Sequence, residues 1–242
     1  MKFAIFSAGM ISALALVGCN AFNFNHIAGN GQILTTNYDL TGFQCVDAGG
    51  TFEVNIHPGE RFAVSITTDS NLLDDLSVTR DGSWLRLGVK SGAGIAPTKL
   101  VADVTMPSLT GVSASGATHL DFDSFTTDEF KAEASGASHI NGEIHAKRGY
   151  IECSGASEVK FLGQISSMNL KVSGASHVNC AALKADKGMV DLSGASHADV
   201  NASEQLDYDL SGASHLDYSG DARVGHSDCS GASGVTHKEA TL

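Results

Sequence analysis

Five histidines recur at one position of a repeated pentapeptide: His119, His139, His177, His197 and His215. Each follows Ser-Gly-Ala-Ser or, in the first copy, Ser-Gly-Ala-Thr. Two residues further on stand Asp121, Asn141, Asn179, Asp199 and Asp217. Imidazole nitrogens and carboxylate oxygens are donors that Zn²⁺ and Cu²⁺ accept. The candidate metal ligands are thus the five histidines with Asp121, Asp199 and Asp217. Against this, metal sites are concave and braced by outer groups, whereas a repeated pattern makes a plain outer stripe. The same residues could simply keep a surface hydrated, or meet a glycan or a protein. No cofactor and no definite metal site is assigned on this pattern.

The repeat dictates the elements that position these residues. Ser-Gly-Ala occurs at Ser115, Ser135, Ser154, Ser173, Ser193, Ser211 and Ser230, every 18 to 20 residues. Glu158 and Gly234 replace histidine in two copies. Apolar residues fall one and three positions before most of these serines, and five after each of them. Alternation with period two means strand. Such a short unit cannot bury its apolar face alone, but stacked copies share a continuous core. The sequence therefore predicts an all-β fold, a parallel β-helix of about 19-residue rungs. Right-handed winding is expected because parallel crossovers are nearly always right-handed. Each rung reads as strand, Ser-Gly-Ala-Ser corner, strand and loop. Residues i and i+2 of a strand share a face, so the histidine stripe points outward while the apolar residue between points in. In the rung lacking histidine, Glu158 beside Lys160 would keep the stripe near neutral.

The amino-terminal third differs. Phe52 to Ile56 and Phe62 to Ile66 alternate around His57-Pro58-Gly59-Glu60 and read as a hairpin. A strand from Trp84 follows the Asp81-Gly82 turn, and another spans Lys99 to Met106, stopped by Pro107. Exposed strand edges at solenoid ends need covers. Residues 31–110 are read as a β region capping the start, 111–242 as the solenoid, and 237–242 as its far cover.

The first residues read as an address. Lys2 precedes an apolar run of about 15 residues, too short for a spanning helix of about 20. It ends in Leu16-Val17-Gly18-Cys19, which resembles the lipobox of bacterial lipoproteins. On this reading residues 1–18 are a signal peptide, Cys19 carries lipid, and 19–30 form a tether. A lipid on Cys19 anchors the chain to a membrane without a spanning helix. Asn20, rather than Asp, favours the outer membrane by analogy with such lipoproteins.

The whole sequence has 27 acids against 15 bases, a net charge of −12, which argues against nucleic acid as a partner. A serine motif that recurs seven times is not a catalytic serine, and phosphate-loop and zinc-protease motifs are absent. No catalytic residue is assigned. Cys153 and Cys229 share one repeat position four rungs apart, roughly 19 Å, too far for a disulfide. Both are read as small buried apolar residues.

Gly29-Asn-Gly31, Asp39-Leu-Thr-Gly-Phe43, Gly49-Gly-Thr-Phe52 and the Asp69-Ser-Asn-Leu-Leu-Asp74 stretch, together with the serial Ser-Gly-Ala-Ser block, resemble the autotransporter-adhesin, head GIN domain family. The resemblance implies a right-handed β-helix and an envelope location, and carries over no catalytic residues. The expected role is non-catalytic: structural, adhesive or binding, with a glycan or protein at the cell surface as partner. Self-association into a homo-oligomer through the solenoid ends or sides is open. The alternatives are a polysaccharide-acting β-helix enzyme and a metal-binding lipoprotein.

Overall fold

The computed structural model describes residues 26–238. Cys19 and the proposed leader lie outside the described residues. Five long strands, His119–Ala134, His139–Cys153, Glu158–Val172, His177–Leu192 and His197–Leu210, pair in parallel, each with the next. The chain is a parallel β-solenoid of about 7 turns with ~19-residue spacing. Strand pairing runs through the region expected to be a loop. The far corner is a bend inside a continuous ladder, and register shifts there absorb unequal rung lengths, as between Phe122 and Phe125 or Cys180 and Lys184.

The Ser-Gly-Ala corner keeps the ladder unbroken. The Ala137 N–H donates to Gly116 O at 2.7 Å, Ala156 to Gly136 at 2.8 Å, and Ala175 to Gly155 at 2.7 Å. The pattern continues to Ala232, which donates to Gly212 at 2.7 Å. Only glycine permits this. The seven corner glycines have φ of 73° to 78°, where a side chain is strained. A Cβ on Gly174 would also lie 2.4 Å from the Gly155 carbonyl oxygen below.

Inside, the residues five after each serine form one buried column: Leu120, Ile140, Val159, Val178, Ala198 and Leu216, each at 0 % exposure. In a neighbouring column a glycine makes room for two large rings. Gly142 lies between Phe122 and Phe161, whose rings meet at 5.6 Å centroid separation across it. The fourth residue of each corner, from Thr118 to Ser214, is also buried. Several of these hydroxyls are satisfied by corner carbonyls, as Ser157 Oγ donates to Ser154 O at 2.6 Å. Cys153 is buried as expected, but Cys229 is exposed. Among the described residues, its strand pairs only with His197–Leu210, so its outer side is uncovered.

The amino-terminal region departs from the expected hairpin. Glu53–Pro58 and Ala63–Asp69 do not pair; Leu100–Met106 lies between them, parallel to the first and antiparallel to the second. The inserted strand is largely buried, so it gains partners on both edges and leaves no apolar edge open. Cys45–Gly50 and Glu53–Pro58 stack directly beneath the first Ser-Gly-Ala rung, with Gly49 opposite Ser115 and Gly50 opposite Gly116. They form a rung of the solenoid with a Gly-Gly-Thr-Phe corner. A further layer comes from Trp84–Val89 and Leu100–Met106. Antiparallel strands then end the stack, Leu76–Asp81 on one side and Ala63–Asp69 on the other, with Ile33–Tyr38 outermost.

Asp69 ties this cover together. Its carboxylate accepts bonds from Gly31 N–H at 2.8 Å, Thr98 N–H at 2.8 Å and the Thr98 hydroxyl at 2.8 Å. The Gly29-Asn30-Gly31 segment is thereby pinned, with Asn71 Nδ2 donating to Ala28 O at 2.9 Å. Burial pushes the Asp69 carboxyl up. The bonds from Thr98, Gly31 and Lys99 outweigh it and hold the group below the ordinary aspartate value.

Gly174→Ala is expected to destabilise the fold by more than the ~1–2 kcal/mol of the left-handed backbone alone, because the clash adds to it. Urea unfolding measures this, and an unchanged midpoint would contradict the corner argument. A carboxylate held low contributes stability above the unfolded value near ~3.9, and that contribution is lost as pH falls through the folded value. The loss of stability between pH 7 and pH 3 should therefore be smaller in Asp69→Asn than in the native chain, measured by urea unfolding at both pH values.

Candidate functional site

The solenoid assembles the predicted stripe. In spatial order, one column runs Glu53, His119, His139, Glu158, His177, His197, His215 and Gly234. The column beside it runs Asn55, Asp121, Asn141, Lys160, Asn179, Asp199, Asp217 and Thr236. Both lie on the outer face because the alternate residues, such as Leu120 and Val178, fill the core.

Glu158 divides the stripe in two. On the amino-terminal side His119 and His139 are 5.6 Å apart and tilted by 34°. His119 Nε2 lies 3.2 Å from Asp121, and both side chains are 47 % exposed. Glu158 Oε2 approaches His139 Nε2 at 3.6 Å, so its charge faces the neighbouring imidazole. On the carboxy-terminal side the imidazoles stack. His177 and His197 are 4.9 Å apart with planes 4° from parallel, and His197 and His215 are 5.6 Å apart at 5°.

The carboxylates on this side are better buried. Asp199 and Asp217 side chains are 16 % and 12 % exposed. His197 Nε2 lies 3.2 Å from Asp199 Oδ2, and His215 Nε2 lies 3.1 Å from Asp217 Oδ1. Lys238 closes the group. Its ammonium donates to Asp199 Oδ1 at 2.8 Å and lies 2.7 Å from Asp217 Oδ2. The lysine is held there by its backbone, since Lys238 N–H donates to Tyr218 O at 2.7 Å. Burial pushes the Asp217 carboxyl up, but Lys238, His215 and His197 outweigh this and hold it below the ordinary value. The bonds to Asp199 and Asp217 in turn raise the lysine. Sequence reasoning read residues 237–242 only as a polar cover and missed Lys238, because nothing in the repeat places it over two aspartates.

A second surface was also missed. Four residues before the corner serines stand Lys131, Tyr150, Asn169, Met189 and Asp207, which form one column. Tyr150 is 42 % and Met189 55 % exposed. Tyr150 lies between two depressions. One, of about 220 Å³, includes Arg148, Lys187 and Met189 in its lining; the other, of about 290 Å³, includes Lys131 and Lys171. The available signal was negative: this is the column where the repeat breaks its pattern and places an aromatic and a methionine outward.

The stack and its polar outer stripe define the class of the fold, a β-solenoid. The family described as "Putative auto-transporter adhesin, head GIN domain" matches residues 42–222, and the chain belongs to it. The structure is similar to a putative adhesin from Bacteroides fragilis, at 20 % identity and a TM-score of 0.79, over 88 % of this chain and 100 % of that one. It is similar to a putative lipid binding protein from Parabacteroides distasonis, at 16 % identity and a TM-score of 0.72, over 88 % and 99 %. A putative adhesin from Parabacteroides merdae matches at 18 % identity and a TM-score of 0.70, over 89 % and 99 %. At these identities the likeness concerns the fold. No curated relative matches the chain.

Proposed function

We propose that this protein is a lipid-anchored component of the bacterial cell envelope, held through Cys19, whose solenoid is a non-catalytic adhesive surface. The observation that carries the reading is the Tyr150 face. An exposed sheet face presents Tyr150 and Met189 outward, with Arg148, Lys187, Lys131 and Lys171 and the acids Glu152 and Asp207 around them. Tyrosine, methionine and arginine are the residues enriched where proteins meet partners, and a ring with a polar tip offers contact area at low entropic cost. Arg148 and Lys131 are paired with Glu129 and Glu133, so the face carries both signs of charge and suits a polar partner, a surface glycan or protein. Family membership in the head GIN domain adhesins supports the same role. The anchor reading rests on the lipobox resemblance at Cys19. It is supported by the exposed apolar residues Ile27, Ile33 and Leu34 on the strands nearest that end of the chain.

The full-length chain, presented on beads to bacterial and host cells and to a glycan array, is expected to bind. The double change Tyr150→Ala/Met189→Ala should reduce that binding by about tenfold or more, the scale of a surface anchor worth over ~1 kcal/mol. Binding that is absent, or unchanged in the double variant, would overturn the assignment to this face. Cells fed a tagged fatty acid are expected to label the native chain and not Cys19→Ala, which should leave the membrane fraction. Label retained in Cys19→Ala would refute the anchor.

A further inference from the structure

We propose that His177, His197 and Asp199 form a binding site for a divalent transition-metal ion that favours imidazole, Zn²⁺ being the probe. One ligand atom from each of the three side chains lies within 4.8 Å of the other two. Asp199 Oδ2 is 3.2 Å from His197 Nε2 and 3.9 Å from His177 Nε2. Around a tetrahedral zinc with bonds of about 2.0–2.1 Å, ligand atoms lie about 3.4 Å apart. With all three atoms already within 4.8 Å of one another, no separation must shrink by more than roughly 1.4 Å to reach that spacing.

The fold allows this movement without disturbing the backbone. His177 and His197 are locked on the ladder by bonds of 3.0 Å from their N–H groups to Ser157 O and Ser176 O. Their rings are 42 % and 32 % exposed, so they can turn about their side-chain bonds. They stack nearly parallel at 4.9 Å, and an ion between them requires each to tilt towards the other. The carboxylate is the fixed partner. It is 16 % exposed, and Lys238 bonds to Oδ1, leaving Oδ2 on the side of the imidazoles. A group that orients a ligand through its other atom is the usual outer brace of a metal site. Two nitrogens and one oxygen then leave a coordination position for water or an external ligand.

The chain contains its own control. His119 and His139 have the same rung relation, but their rings are tilted by 34° at 5.6 Å and Asp121 is 47 % exposed. Among the described residues, the three-ligand cluster forms only at His177, His197 and Asp199.

The test uses the untagged full-length chain in detergent, stripped with a chelator and titrated with zinc by calorimetry. One ion per chain is expected, with no uptake of Ca²⁺, which prefers an all-oxygen shell. His177→Gln, His197→Gln and Asp199→Asn should each weaken uptake by about tenfold or more, since even orienting groups are worth 10–100-fold. His119→Gln/His139→Gln should leave it unchanged. Cobalt substituted for zinc should give visible absorption bands in the native chain that His197→Gln lacks, while urea unfolding confirms that each variant is folded. No stoichiometric uptake, uptake indifferent to His177 and His197, or uptake that follows His119 and His139 would each overturn the proposal.

Discussion

The structure depends on one contact: the alanine N–H of each corner reaching the glycine carbonyl one rung below. Along straight strands, rung-to-rung bonding is easy. At a sharp corner the backbone turns out of the sheet, and its polar groups would ordinarily be left to water. Here the corner glycine adopts a positive φ and sits on the glycine beneath, so the ladder of hydrogen bonds never stops. Every rung is thereby forced into the register of its neighbour. The inner apolar columns, the buried hydroxyl column and the outer histidine stripe all follow from that register.

A stack held together in this way is exposed at its two ends, and the chain treats the ends differently. At the start it builds one more rung with a Gly-Gly-Thr-Phe corner, lays two further strands on it, and then reverses strand direction on both sides. Asp69 gathers the backbone of Gly31 and Thr98 and pins the outer segment. Among the described residues, the covering at the other end is slight. His237 stacks on Tyr218 with ring centroids 4.4 Å apart, and Lys238 reaches back over the last two aspartates of the stripe. Cys229 and its neighbours remain exposed there.

Repetition also separates two kinds of surface. Where a side chain recurs on successive rungs, the surface is a ladder whose members share charge and shape, as in the histidine stripe. Where the repeat lapses, the surface can specialise. Tyr150 and Met189 stand out on a face whose equivalent positions are lysine, asparagine and aspartate. Glu158 likewise interrupts the histidines and leaves a carboxy-terminal group of three stacked rings with two protected carboxylates.

The repeat alone determined much of this molecule. Seven Ser-Gly-Ala copies at near-constant spacing, with apolar residues at fixed offsets, require stacked strands, an inward apolar column and an outward histidine–aspartate stripe. A short-range periodic pattern encodes short-range geometry, and parallel stacking copies it from rung to rung. What needed the tertiary structure was whatever the period does not carry. The insertion of Leu100–Met106 between Glu53–Pro58 and Ala63–Asp69 pairs residues 32 to 48 positions apart, and local alternation suggested the nearer pairing instead. The exposure of Cys229 follows from its place in the last turn, which its repeat position conceals. The position of Lys238 over Asp199 and Asp217 depends on where the chain leaves the final rung. Each case arises where the regular stack gives way to other structure, and an internal repeat holds no information about its own boundaries.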